Sequence, residues 1–410
     1  MKGKRLIVGL MLFPVFGALI FLAGDVTGGL VNQTDAAIGR SPMSQQDPEP
    51  TATPAPTMSP PEPEPTDPPA PTPLPAHPYP ITVRNVTQIA KEFEGPPGQD
   101  QGRAVGLCGA DLGSVFNWLG RTYIALGDIF GCPLTPSEQP NWRAHALAFT
   151  TDTNLRNGIT FNGWITDSAG NPRLLFRPDP GGFAARPTHG VSVGTTGYLF
   201  YSNVTEQFTG GQWNCNSSSA AKSTNRGRTW QKLPQLTRGS GNFNQVFLYK
   251  TRGFVYFFSI PCGRLGGVKL MRVPQAQIEN RGAYEYLMDA GNGNSWERDA
   301  APRAATIVPA PVGELSVARN NFAGGYIMSY LTGVPGGTAI VMRIAPNIWG
   351  PWGSPIFVVG SNRFPCLYAP FTQDSYIQEG GRIVYFRMSR FCPGFNPYST
   401  YWMRMELARS

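Results

Sequence analysis

The sequence of 410 residues predicts an all-β fold, and three observations carry that prediction. Gly and Pro are abundant, at 48 and 40 residues, while only 15% of the chain is charged. Aromatic residues reach 12% and long runs at helical spacing are missing, which fits turn-rich sheet better than helix. A glycine followed within a residue or two by an aromatic-rich strand also recurs along the chain: RTYIALGD at 121–128, TGYLFYSN at 196–203, RGFVYFFS at 252–259, GGYIMSYL at 324–331 and GRIVYFRM at 381–388. Spacings of roughly 55 to 75 residues between such units indicate a propeller of four-stranded blades. Counting the units gives five blades.

Two segments precede the propeller. Lys2, Lys4 and Arg5 stand ahead of an apolar run over 6–23, the layout of an export signal that is also long enough to remain as a membrane anchor. Basic residues ahead of the run keep the N-terminus inside and send the rest of the chain outside. Residues 1–30 are therefore expected to be a signal peptide or signal anchor, and residues 31–80 a disordered Pro-rich linker. At about 3.1 Å per residue in polyproline II, the Pro-dense part over 42–80 reaches on the order of 100 Å, enough to lift a domain into a thick envelope. Residues 81–410 form the propeller, secreted or membrane-anchored, and a monomer is expected.

The formal net charge is +8, yet no basic run interleaved with aromatics appears, so nucleic acid is not an expected partner. Outside the cytoplasm that surplus suits an anionic wall polymer or lipid surface. Six cysteines, an even count in an oxidising compartment, indicate disulfides. Cys108 and Cys132 bracket one hairpin and Cys366 and Cys392 the last, leaving Cys215 with Cys262, although spacing does not settle the connectivity. None has zinc-ligand spacing, so no metal or other cofactor is expected.

In a propeller the innermost strands line a channel and ligands bind at one mouth. Those strands are expected near 109–113, 188–193, 243–248, 314–318 and 366–371, which offer Asp111, His189, Asn244, Glu314 and Tyr368 to the mouth. The stretch DLGSVFNWLGRTYIALGDIFG over 111–131 reads as a hairpin turning at Gly120-Arg121, bringing Asp111 and Asp128 to one end of a sheet. Two carboxylates facing one cleft are the minimum for acid and base chemistry on a glycosidic bond. The competing expectation is that both are turn residues bonding backbone amides. Glu314 is a reserve acid from the far side of the channel. His189, Asn244 and Tyr368 are candidate substrate contacts, and Trp118 is a candidate stacking platform. The run STNRGRTW over 223–230 resembles the Asp-box of sialidase-type propellers, with Asn225 where Asp is usual, and is expected to be architectural.

The combination GADLG, GRTYIALGDIFG, TDTNLRNGITF, GELSVA, IWGPWGSP and the terminal YSTYWMRMEL resembles a bacterial domain of once-unknown function. Its characterised members are endo-D-arabinanases of glycoside hydrolase family 183. The resemblance covers about residues 100–410. It implies a five-bladed propeller that hydrolyses D-arabinofuranosyl linkages inside the arabinan of arabinogalactan or lipoarabinomannan, as an inverting enzyme with paired aspartates. By motif position the family's aspartates fall on Asp111 and Asp128. Ala110 sits where a hydroxyl residue is common, and DTNLRNG lacks an acid often found in that loop, departures that bear on substrate choice. Inversion needs a protonated carboxyl and an ionised one about 6.5–9.5 Å apart. With Asp128 beside apolar Ile129 and Phe130, the first assignment makes Asp111 the base and Asp128 the acid, and the sequence leaves the opposite assignment open.

Two other functions remain open to the sequence. A carbohydrate-binding or wall-adhesion propeller without turnover needs no matched acid pair. A sialidase needs three arginines on one carboxylate; Arg143, Arg264 and Arg319 exist, but no motif ties them together. An esterase or protease is excluded by the lack of a Gly-x-Ser-x-Gly elbow.

Overall fold

Five antiparallel sheets, each stepping outward from an inner strand, make up the computed structural model. It describes residues 80–94 and 100–410 apart from 136, 208–211, 239–240 and 265. The expected export segment over 1–30 and the Pro-rich linker up to 79 lie outside the described residues. Among the described residues, no helix is long and apolar enough to cross a membrane.

The inner strands are Leu107–Trp118, Ala184–Val193, Gln245–Thr251, Leu315–Asn320 and Leu367–Phe371, and each neighbours the next around the ring. All five overlap the innermost strands expected from the sequence. The glycine-led, aromatic-rich segments are the second strands: Arg121–Gly131, Thr196–Gln207, Phe254–Ile260, Gly325–Val334 and Ile383–Phe391. Their side chains are buried on both faces because blades pack face to face, which explains near-continuous apolar runs in place of alternation. Between blades the contacts are largely aromatic, as in Phe200 edge-on to Phe257 with centroids 5.1 Å apart.

The ring closes with a strand that the repeat pattern did not show. Ile81–Lys91 pairs antiparallel with Tyr398–Arg409, so the first strand in sequence is the outermost of the last blade. It is an edge strand, half-exposed and rich in polar residues, and lacks the aromatic signature of the second strands. Just beyond it Glu92 turns inward, where Arg387 and the Thr400 hydroxyl both donate to its Oε2. These three side chains are 1% exposed or less and tie the start of the domain to its end.

The Asp-box run forms the expected tight turn on the outer side. The Ser223 hydroxyl accepts from Gly227 N at 3.0 Å, Asn225 Oδ1 accepts from Thr229 N at 2.9 Å, and Trp230 Nε1 donates to Gly227 O at 2.9 Å. The cysteines pair as Cys108–Cys132, Cys215–Cys262 and Cys366–Cys392, with Cα separations of 5.0, 6.0 and 5.3 Å.

Candidate active site

Each blade sends a polar side chain to the same end of the channel from the first half of its inner strand or, for Glu314, from the residue just before it. They are Asp111, Arg186, Gln245, Glu314 and Tyr368. Asp128 joins from the second strand of the first blade. A small cavity here is lined by Leu112, Arg186, Trp213, Gln245, Glu314 and Phe371, among others.

Backbone irregularity aims these groups. The pairing of Leu107–Trp118 with Arg121–Gly131 slips between Ala110 and Leu112 and again between Leu112 and Ser114. Leu112 and Gly113 adopt φ of 58° and 89° there. Further slips fall between Pro187 and His189 and between Tyr368 and Phe371, with Ala369 at φ 52°. A bulge turns a side chain out of strict alternation, and a non-glycine residue at positive φ costs on the order of 1 kcal/mol, so the mouth is built at some expense in regular pairing. At Gly127, a Cβ would lie 2.3 Å from Asp111 Oδ1, so only glycine leaves room for that carboxyl.

Two arginines set the electrostatics. Arg186 Nη2 donates to Asp128 Oδ2 at 2.6 Å, and Trp142 Nε1 donates to Asp128 Oδ1 at 3.1 Å. Arg264 Nε donates to Glu314 Oε1 at 2.8 Å. Both guanidiniums lie over the Trp213 ring, 5.1 and 5.0 Å from its centroid, and Arg264 also lies over Tyr368 at 4.6 Å. Asp111 has no arginine of its own and takes instead the Tyr368 hydroxyl at 2.7 Å on Oδ2. Burial first and the neighbouring Asp128 charge second push the Asp111 carboxyl up to about 7, against the opposing pull of Arg186, Tyr368 and Arg264. Burial beside Asp111 likewise holds the Tyr368 phenol well above its ordinary range.

The disulfides sit at this same end. Cys108 lies three residues from Asp111, while Cys215, Cys262 and Cys366 each lie two residues from Trp213, Arg264 and Tyr368 respectively. The cross-links therefore fix the loops that carry the mouth residues.

Of the expected site residues, Asp111, Asp128, Glu314 and Tyr368 come together. Neither Asp111 nor Asp128 uses its side chain to cap backbone amides; both face charged or phenolic partners. Glu314 is 2% exposed and paired with Arg264. Trp118 belongs elsewhere, because it sits seven residues up the strand from Asp111, about 23 Å at 3.3 Å per residue. Its ring packs on Tyr123 and Trp230, with Nε1 donating to Thr195 O. His189 is buried with Nδ1 on Gly190 O at 2.8 Å, burial lowers it to about 4, and it does not line the cavity. Asn244 is fully buried one residue before the strand, and the adjacent Gln245 takes the lining position. The displacement of His189 is a matter of register: the slip after Pro187 exchanges which residues of that strand face the mouth, so Arg186 arrives and His189 does not. Arg186 and Trp142 were missed, Trp213 was set aside as a packing aromatic, and Arg264 was considered only as part of a sialidase clamp. Arg264 and Trp213 carried one usable signal, their position two residues from a cysteine.

Among the described residues, no group of three or more His, Cys, Asp or Glu is placed to hold a metal ion.

A family model described as a domain of unknown function, DUF4185, matches residues 97–404. The chain belongs to that family. The matched span contains every mouth residue and leaves the closing strand Ile81–Lys91 outside it. No curated protein matches the sequence. Among solved structures, a Bacteroides ovatus protein named only as a candidate hydrolase overlaps with TM-score 0.55 at 12% identity, covering 74% of this chain and 87% of that one. An α-L-arabinofuranosidase from Podospora anserina, in complex with cellotriose, overlaps at 0.43 and 10% identity, over 81% and 97% of the two chains. A family 117 glycoside hydrolase from the marine bacterium Zobellia galactanivorans overlaps at 0.45 and 13% identity, over 80% and 90%. At these identities the likeness is one of fold, and overlaps below 0.5 carry no weight for function.

Proposed function

We propose that this protein is an exported glycoside hydrolase that cleaves internal D-arabinofuranosyl linkages of cell-wall arabinan with inversion at the anomeric carbon. The observation that carries the chemistry is the asymmetry between its two aspartates. Asp111 is pushed up to about 7 with no arginine of its own, while Asp128 is paired with Arg186 at 2.6 Å. A carboxyl that keeps its proton near neutral pH can pass it to a leaving oxygen, and an arginine-held carboxylate can take a proton from water. Asp111 is therefore the general acid and Asp128 the general base, the reverse of the roles expected from the hairpin's apolar neighbours.

The step balances on these groups. Water bonds to the anomeric carbon as Asp128 takes its proton, the glycosidic C–O bond breaks, and the departing oxygen receives the Asp111 proton. The Tyr368 hydroxyl on Oδ2, with Arg186 and Arg264 nearby, stabilises the carboxylate left on Asp111. Glu314 plays no acid role in this scheme; it neutralises Arg264. With both arginines matched and Asp111 protonated, the mouth carries no net charge, which suits a neutral sugar better than an anionic one.

The arabinan substrate and the envelope location rest on the GADLG and GDIFG motifs and on the N-terminal basic-apolar segment. Incubating the protein with arabinogalactan and separating the products by chromatography tests both substrate and activity. A ladder of arabino-oligosaccharides is expected, with NMR of fresh products showing the inverted anomer. A folded protein that releases nothing from arabinan would falsify the hydrolase reading.

A further inference from the structure

Of the nine tryptophans, Trp142 stands furthest into solvent, at 39% exposure, and it does so beside the acid pair. Its loop is held rather than loose. The Cys108–Cys132 disulfide anchors the loop's start, Gly131 N donates to Pro140 O at 2.7 Å, and Ile129 and Arg143 exchange backbone bonds at 2.9 and 3.1 Å. The Arg143 guanidinium then clamps Asn141 O at 3.0 Å and Trp142 O at 3.2 Å. Asn141, at φ 56°, holds a left-handed conformation immediately before the tryptophan. The indole is further tied through Nε1 to Asp128 Oδ1.

Fixing a large apolar ring in water gains little from burial, so a use in packing does not explain the effort. An exposed, rigid indole face suits the C–H face of a sugar ring, because little side-chain entropy remains to be lost on contact. Resting on the glycosidase reading above, we propose that Trp142 is a glycan subsite of this protein: its face takes the sugar ring next to the one attacked, and its N–H holds Asp128 in place. Asp128 is then gripped on both oxygens, by Arg186 on Oδ2 and by Trp142 on Oδ1, so a ring settling on the indole meets a fixed carboxylate. The two duties of Trp142 are separable by substitution.

The test uses the whole protein with arabinan as the probe. Trp142→Ala removes face and donor together and raises KM about tenfold while lowering kcat, tenfold being about 1.4 kcal/mol of lost contact. Trp142→Phe keeps a ring but no donor, so kcat falls while KM stays within about threefold. A second measurement needs neither variant nor turnover. N-bromosuccinimide should oxidise the most exposed indole of the native protein first, and arabinan should protect it, with peptide mapping placing the modified residue. Unchanged KM and kcat in a folded Trp142→Ala, or oxidation of Trp142 unaffected by arabinan, overturns the proposal. If the native protein releases nothing from arabinan, the hydrolase reading fails separately, and protection of Trp142 still decides whether it meets sugar.

Discussion

Glu92 and Asp111 are both carboxyls that burial pushes toward the neutral form, yet they belong to regions built for different ends. At the seam between first and last strands, Glu92, Arg387 and Thr400 are 1% exposed or less, with one carboxylate for one arginine. At the mouth there are three carboxylates for two arginines, the strands slip register, and the paired side chains keep some exposure, 14% for Asp128 and 19% for Arg264. Pairing of opposite charges alone therefore does not mark a site. The spare acid does, together with access and a backbone bent to aim it. The regions also touch: a Cβ on Gly113, in the bulge beside Asp111, would lie 2.8 Å from Arg387 Nε, so the seam props the strand that presents the acid.

The contrast breaks most visibly at the mouth. Asp111→Asn and Asp128→Asn should each lower kcat on arabinan by about a thousandfold, within the range for a lost general acid or base, while binding persists in a pull-down with insoluble arabinan. An aspartate whose replacement leaves product release intact has no place in the mechanism.

At the seam the loss should fall on stability. Glu92→Ala leaves Arg387 buried without its counter-charge and should cost about 3–5 kcal/mol in a denaturant melt at neutral pH. An unmoved midpoint would mean that closure rests on backbone pairing alone.

A smaller effect separates the two by pH. The acid works only while protonated, so kcat/KM should decline above about pH 7, close to tenfold per pH unit, following Asp111. A flat profile from pH 6 to 9 contradicts the assignment of Asp111 as acid.

The smallest effect concerns stability at the mouth. Asp111 titrates near 7 in the fold against an ordinary 3.8, so the folded chain binds the extra proton between those values. Stability contributed by the raised group is fully present below about pH 4 and is lost as pH rises through 7. Asn mimics the neutral acid, so Asp111→Asn should melt higher than the native protein at pH 8 and equally at pH 4. A lower melting temperature at pH 8 would show that the charged form is welcome there.

Much of the fold was legible because blade repetition writes itself into the chain: each second strand is buried on both faces and so must be apolar and aromatic. The Asp111–Gly120–Asp128 hairpin was legible for a similar reason, since turn residues between two strand patterns act locally. The closing strand Ile81–Lys91 was not, because an edge strand needs only modest burial and carries no strong pattern. Arg186 and His189 show why the site was only partly readable, since one register slip on their shared strand decides which of them faces the channel.

By itself the sequence determined an all-β chain of five repeating units, its turns, and two aspartates at one end of the first hairpin. Those follow from local propensity and from the apolar demand of packed sheets, both of which act over a few residues. Only tertiary structure decided that Asp128 would meet Arg186, that Glu314 would meet Arg264, and that Asp111 would be left with a phenol and a nearby negative charge. Protonation depends on burial and on charges brought from other blades, and those distances exist only once the ring has closed.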